Sequence, residues 1–247
     1  ASKHVLVERP IATSAAGAAR VIEAAKTAGA CLAVGHPHRF RPEVAALRSF
    51  VAGGELGELY AVRGSWLTCQ VPLLRATWRQ SKDASGGGAM MDLGVPALDL
   101  CLWIVGFPNI RSVSCVVHKG EYEVEDAATL MFESEDGIVF SMEVSNRLFA
   151  GEDRYYTRVM GTEGSGSFPP LEIHKQLGGR PLEVTPRQPR PRGGENPYTN
   201  AYRRLLDQFV RGVAGRHEIE LPEEQVALMR LIEAAYESAE GGRAVAL

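Results

Sequence analysis

Residues Gly86 to Leu100 read GGGAMMDLGVPALDL: three glycines open an apolar run of helical period that carries Asp92 and Asp99, seven positions apart. Seven residues make two helical turns, so this spacing predicts both carboxylates on roughly the same side of one helix. Glycines at a helix start let backbone N–H groups approach a ligand closely, and the positive end of the helix favours an anion. A plain tight loop before a helix would need the same glycines. Pro96 has no N–H to offer the carbonyl of Asp92 four residues earlier, which predicts a bend at that point.

Upstream, Lys3 to Val7 is a short apolar run suited to a buried strand. Thr13 and Ser14 offer N-caps to the alanine-rich run Ala15 to Ala28, Gly29 ends it, and Cys31 to Val34 reads as a second strand. Strand, helix, strand is a βαβ unit. No glycine-rich turn follows its first strand, although a dinucleotide-binding sheet requires one there. Gly35 to Pro42, GHPHRFRP, holds His36 and His38, which are half of a metal site at most, because no third ligand of matching pattern follows. Pro42 opens a helix to Ala52, and Leu59 to Trp66 reads as a strand. Gln70 to Ser85 is a polar loop whose Trp78 and Arg79 either line the mouth of a site or anchor the loop.

Downstream the period becomes that of strands: Val113 to Val117, Ala127 to Glu133, Ile138 to Val144, Tyr155 to Gly161 and Gly166 to Phe168. Leu171 to Ile173 and Leu182 to Val184 are weaker candidates, and Ser134 to Gly137 is a hairpin turn. Tight turns between consecutive strands imply an antiparallel sheet, whose outer face needs cover by a second copy. Tyr198 to Val213 and Pro222 to Ala239 are helices, and Arg243 to Leu247 a last strand.

The 247 residues suffice for one large domain or two small ones, with 45% hydrophobic and 23% charged residues as in ordinary globular proteins. A net charge of −3 argues against nucleic acid, and the basic stretch Arg187 to Arg192, RQPRPR, reads as a solvated loop. The four cysteines form no CxxC pair, which favours a reduced, cytoplasmic setting over disulfides or zinc. The apolar runs are too short and too interrupted to predict a membrane span.

The central run resembles the catalytic segment of the Gfo/Idh/MocA family of nicotinamide-dependent sugar and polyol dehydrogenases, GGG-x-x-x-D-x-G-x-H-x-x-D. Gly86, Gly87, Gly88, Asp92, Gly94 and Asp99 match it, and Pro96 stands in place of the histidine. Glu8-Arg9-Pro10 is similar to the family's Glu-Lys-Pro, Arg39-Phe40 to its Arg-Phe/Tyr pair, and the ending AAYESAEGGRAVAL to its C-terminus. The resemblance implies an α/β (α+β) chain. Residues 1–36 would be the remnant of a Rossmann-like nucleotide domain, and residues 37–247 a substrate and oligomerisation domain. The latter would have a large, mostly antiparallel sheet with helices on one face. By the size of βαβ units, on the order of a hundred residues of nucleotide domain are expected ahead of it.

The resemblance further implies an oxidoreductase using NAD or NADP on a sugar, polyol or related hydroxyl or keto compound. It places Glu8, Arg9 and Pro10 at the cofactor, Arg9 and Asp92 at the chemistry, and Arg39, Trp78, Arg79 and Asp99 at the substrate. The family's lysine and histidine handle the hydroxyl proton. An arginine is a poor proton acceptor and a proline has no side-chain proton, which leaves Asp92 as the titratable group of the pattern. Two other readings stand beside this one: a ligand-binding relative without hydride transfer, and an oligomerising fragment of a longer enzyme. On any of them the partner is a small molecule, with no metal, nucleic acid or membrane. The chain is expected to form a homo-oligomer through its sheet, and this segment alone is expected to bind no cofactor.

Overall fold

The computed structural model describes residues 3–69, 77–188 and 195–247. The first part of the expected loop Gln70 to Ser85, and Pro189 to Arg192 of the basic stretch, lie outside the described residues.

Strand β1 (Val5–Glu8), helix α1 (Ala15–Thr27) and strand β2 (Leu32–Gly35) form the expected βαβ unit, with β1 and β2 paired in parallel as a sheet of their own. Ser14 caps α1, its side chain accepting from the Gly17 N–H at 3.0 Å, as a β-region serine before a helix should. A 3-10 turn (Pro37–Phe40) leads into α2 (Pro42–Ala52), whose boundaries are those read from the sequence.

The larger sheet has nine strands: β3 (Leu59–Cys69), β4 (Ile110–Lys119), β5 (Glu125–Ser134), β6 (Val139–Leu148), β7 (Arg154–Gly161), β8 (Gly164–Phe168), β9 (Glu172–Leu177), β10 (Arg180–Glu183) and β11 (Val245–Ala246). Their order is β10-β9-β8-β7-β3-β6-β5-β4-β11, antiparallel except where β3 lies parallel to β6. Both weaker strand candidates are real strands. The hairpin from β5 to β6 turns at Gly137, whose φ of 84° only glycine adopts freely.

Alternation sorts the two faces. Ala128, Leu130 and Phe132 of β5 and Phe140, Met142 and Val144 of β6 point inward and are buried, with Phe132 and Phe140 stacked at 4.5 Å. Three helices follow in sequence: the four-residue α3 (Lys82–Ser85), α4 (Val95–Val105) and, after the sheet, α5 (Pro197–Val213). The last, α6 (Glu224–Gly241), packs on β4, and α4 packs on β3. Leu98 and Cys101 of α4 and Leu228, Met229 and Ile232 of α6 close the core against the inner face.

By length and composition the helical stretch Lys82–Val105 is apolar enough to cross a membrane, contrary to the expectation that no run qualifies; 83% of its apolar window is buried inside the protein. Its apolarity serves the core. Cys31, Cys69, Cys101 and Cys115 form no disulfide, and burial raises the thiols of Cys101 and Cys115 to about 12.

Candidate active site

Between α3 and α4 the chain does not run as one regular helix. Met90–Gly94 form a π-turn, in which the Val95 N–H donates to the Met90 carbonyl, five residues back. The bend expected from Pro96 therefore takes the form of a widened turn directly before it. The two aspartates differ in exposure. Asp92 opens to solvent with half its side chain exposed, while Asp99 is 1% exposed in the core.

The glycines do present backbone donors to an anion, and the anion belongs to the protein. Glu125 Oε1 accepts from the N–H groups of Gly88 at 3.0 Å and Met90 at 2.9 Å, and from the Tyr236 hydroxyl at 2.9 Å. Burial and the Glu125 charge both raise the Tyr236 pKa, which keeps the hydroxyl a donor. A Cβ on Gly87 would lie 1.8 Å from the Tyr236 oxygen, and one on Gly88 would lie 2.0 Å from the Glu125 carbonyl oxygen. The glycines are thus required by close approach to β5 and α6. Glu125 and Tyr236 were missed in the sequence because neither carries a local signal; the first residue of a strand gives no hint that it caps a helix 37 positions earlier.

Above this support lies a cleft of about 750 Å³, within the range of small-molecule sites. Glu8, Arg9 and Pro10 line it from the end of β1, Trp78 and Arg79 line it from the short 3-10 turn Trp78–Gln80, and Met91 and Asp92 come from the π-turn. The structure thus brings together six of the eight residues singled out from the sequence: Glu8, Arg9, Pro10, Trp78, Arg79 and Asp92. Arg9 Nη1 donates to the Asp92 backbone carbonyl at 2.7 Å and lies 3.8 Å from its carboxylate, and Arg79 lies 3.8 Å from the other carboxylate oxygen. Tyr202 of α5 donates to Glu8 at 3.2 Å, holding that carboxylate at the cleft edge. The opposite wall was not anticipated: Asn146 and Arg147 end β6, and Arg147 Nη1 donates to Asp126 of β5 at 2.9 Å.

The other two, Arg39 and Asp99, are not among the residues that line the cleft. Arg39 holds both Asp99 oxygens, by Nε at 2.8 Å and by a closer contact from Nη2, and reaches Glu224 with Nη1 at 2.8 Å. Gln225 Nε2 donates to Asp99 Oδ1 at 3.0 Å, and His36 Nδ1 lies 3.2 Å from Oδ2. Burial works against the Asp99 charge, but His36, Arg39 and these hydrogen bonds outweigh it and hold its pKa below the usual value. Such a saturated, buried carboxylate ties α4 to α6 and to the 3-10 turn. Burial also lowers the pKa of His36, and it lowers that of His38 to about 4, with Arg41 next in effect. His38 packs among the rings of Trp66, Tyr155 and Tyr198, and neither ring nitrogen has a hydrogen-bond partner. Among the described residues no group of His, Cys, Asp and Glu is placed to hold a metal ion.

Comparison with known proteins converges on one family. The model of the GFO/IDH/MocA C-terminal domain matches residues 44–167, and that of the oxidoreductase family NAD-binding Rossmann fold matches residues 1–36. The chain is 28% identical over 265 aligned residues to D-glucoside 3-dehydrogenase of Escherichia coli (strain K12), covering 99% of the chain and 72% of that protein. It is 29% identical over 254 residues to D-xylose 1-dehydrogenase (NADP(+)) 2 of Haloferax volcanii, covering 99% of the chain and 73% of that enzyme. The crystal structure of GenD2 from gentamicin A biosynthesis, in complex with NAD, superposes with a TM-score of 0.82 at 29% identity, over 99% of this chain and 71% of that one. With the matched core, the glycine-opened helix and the nine-stranded sheet all in place, the chain belongs to the GFO/IDH/MocA family.

Proposed function

We propose that these residues form the substrate side of an NAD(P)-dependent oxidoreductase that transfers hydride between the cofactor and a hydroxyl-bearing carbon of a sugar, polyol or related compound. The observation that carries this reading is the meeting of Asp92 and Arg9 in one cleft, on elements separated by 83 positions in sequence. The sugar dehydrogenases among its relatives support the substrate class.

Oxidation of a secondary alcohol needs a hydride acceptor, which the nicotinamide supplies when bound, and a base for the hydroxyl proton. Asp92, half exposed in the cleft and 3.8 Å from Arg9, is assigned as that base. Arg9 has five N–H donors; one serves the Asp92 carbonyl, and the others are available to hold the substrate oxygen as charge develops on it. Trp78 and Arg79 would flank the substrate, and Glu8 and Pro10 would border the nicotinamide. Pro96 favours one alternative, a ligand-binding relative without turnover, because it brings no proton to the site.

The test is an assay of the full-length protein with NAD and NADP against sugars, polyols and their keto forms. Asp92→Asn is expected to lower turnover by about 100- to 10,000-fold, and Arg9→Lys to leave measurable activity. Unchanged turnover in Asp92→Asn refutes the assignment of the base. Binding of a sugar without any reaction across the panel favours the alternative. The present 247 residues, without a glycine-rich turn after β1, are proposed not to bind NAD or NADP alone, and saturable micromolar binding in calorimetry would refute that.

A further inference from the structure

The carbonyl of Asp92 faces a deficit written into the sequence. In a regular helix its partner would be the N–H of residue 96, and Pro96 has none. The helix responds with the π-turn Met90–Gly94, and a donor arrives from outside the helix: Arg9 Nη1 at 2.7 Å. This is a charge-assisted bond, about twice the strength of a neutral one. It joins residues 83 positions apart, and the Arg9 side chain is 22% exposed. The carbonyl so held belongs to the residue whose carboxylate stands in the cleft.

We propose that Arg9 is a positioning residue for Asp92: it supplies the donor that Pro96 withholds and thereby fixes the π-turn on which the Asp92 carboxylate stands. Arg9 and Pro96 then form one coupled unit, although they do not bond to each other. A side chain at position 9 without a donor leaves the carbonyl short of a partner only while residue 96 is proline. An amino acid with an N–H at position 96 restores the internal donor, lets the turn tighten, and makes Arg9 dispensable for this purpose.

The test is a double-mutant cycle in the full-length protein with Arg9→Met, Pro96→Ala and the pair, read by thermal midpoint and by kcat. Arg9→Met is expected to lower the midpoint by roughly 3 to 8 °C in the parent background, and by less than half as much in the Pro96→Ala background. Arg9→Lys, which keeps a charged donor, should recover most of the loss. The kcat arm rests on the oxidoreductase reading: Arg9→Met should cost about tenfold more in the parent background than in the Pro96→Ala background, since misplacing a reacting group by ~1 Å costs on the order of 100-fold. Additive midpoints overturn the coupling whether or not the protein turns over. Coupled midpoints with additive kcat values make Arg9 a brace of the fold and overturn its positioning role. Should Arg9→Met fail to fold, Arg9→Gln gives the same comparison with a neutral donor, and its loss is expected to exceed that of Arg9→Lys and to shrink in the Pro96→Ala background.

Discussion

Arg39 grips Asp99 through both carboxylate oxygens across 60 positions of sequence, at the junction of the 3-10 turn, α4 and α6. Removing one partner of a buried ion pair leaves the other charged and unpaired, a larger loss than the pair itself gains. Asp99→Asn is therefore expected to destabilise the protein by about 3 kcal/mol, with Arg39→Met similar. Arg39→Met with Asp99→Leu should recover part of that loss, because two apolar groups leave no orphan charge. Denaturant unfolding of the three variants checks this; a double variant as unstable as the sum of the singles would contradict it.

His38 predicts a pH dependence. Its folded pKa, about 4, lies below the ordinary 6.5, so the folded state holds the neutral ring and the unfolded state binds the proton first. Arg41, Arg9 and His36 oppose the charged ring and Asp99 favours it. Stability is fully present above pH 6.5 and is lost as pH falls toward 4, by up to about 3 kcal/mol at the low end. His36 is shifted in the same direction and adds to the loss. The thermal midpoint measured from about pH 7.5 down to about pH 4.5, a range that brackets most of this titration, should fall less steeply in His38→Phe than in the parent. Parallel curves would place the acid sensitivity elsewhere.

The glycine run gives a third expectation. Gly88→Ala places a Cβ 2.0 Å from the Glu125 carbonyl oxygen, which is backbone and cannot step aside. A loss of stability well above the helix-propensity gain of ~1 kcal/mol is expected. Glu125→Gln keeps a single acceptor oxygen toward Gly88 and Met90 and removes the charge, and should cost less, on the order of 1 kcal/mol. Chemical denaturation ranks the two, and Gly88→Ala at parental stability would show that the close approach relaxes freely.

The outer face of the large sheet carries Val116, Met131, Val139 and Tyr156, exposed by 73%, 57%, 42% and 44%, among polar neighbours. A homo-oligomer assembled on this face is proposed, since an apolar sheet face needs cover. Light scattering of the full-length protein should show more than one copy, and Val116→Asp with Met131→Glu should shift it toward the monomer. A monomer at every concentration would contradict the proposal.

Sequence pattern alone determined every element whose signal is local. Pro42 and the apolar positions after it set the ends of α2, Ser14 set the start of α1, alternation set the inward residues of β5 and β6, and Gly137 set their turn. The glycine run also pointed to Asp92, which the fold brings into the cleft with Glu8, Arg9 and Pro10. Tertiary structure decided the rest, because a charge or an N–H donor does not carry the identity of its partner. Whether the donors of Gly88 and Met90 meet a ligand or Glu125 depends on where β5 is brought. Whether Asp99 meets a ligand or Arg39 depends on where the 3-10 turn and α6 are brought, which no periodicity count contains. The parallel pairing of β3 with β6, distant in sequence, is likewise a matter of the tertiary structure.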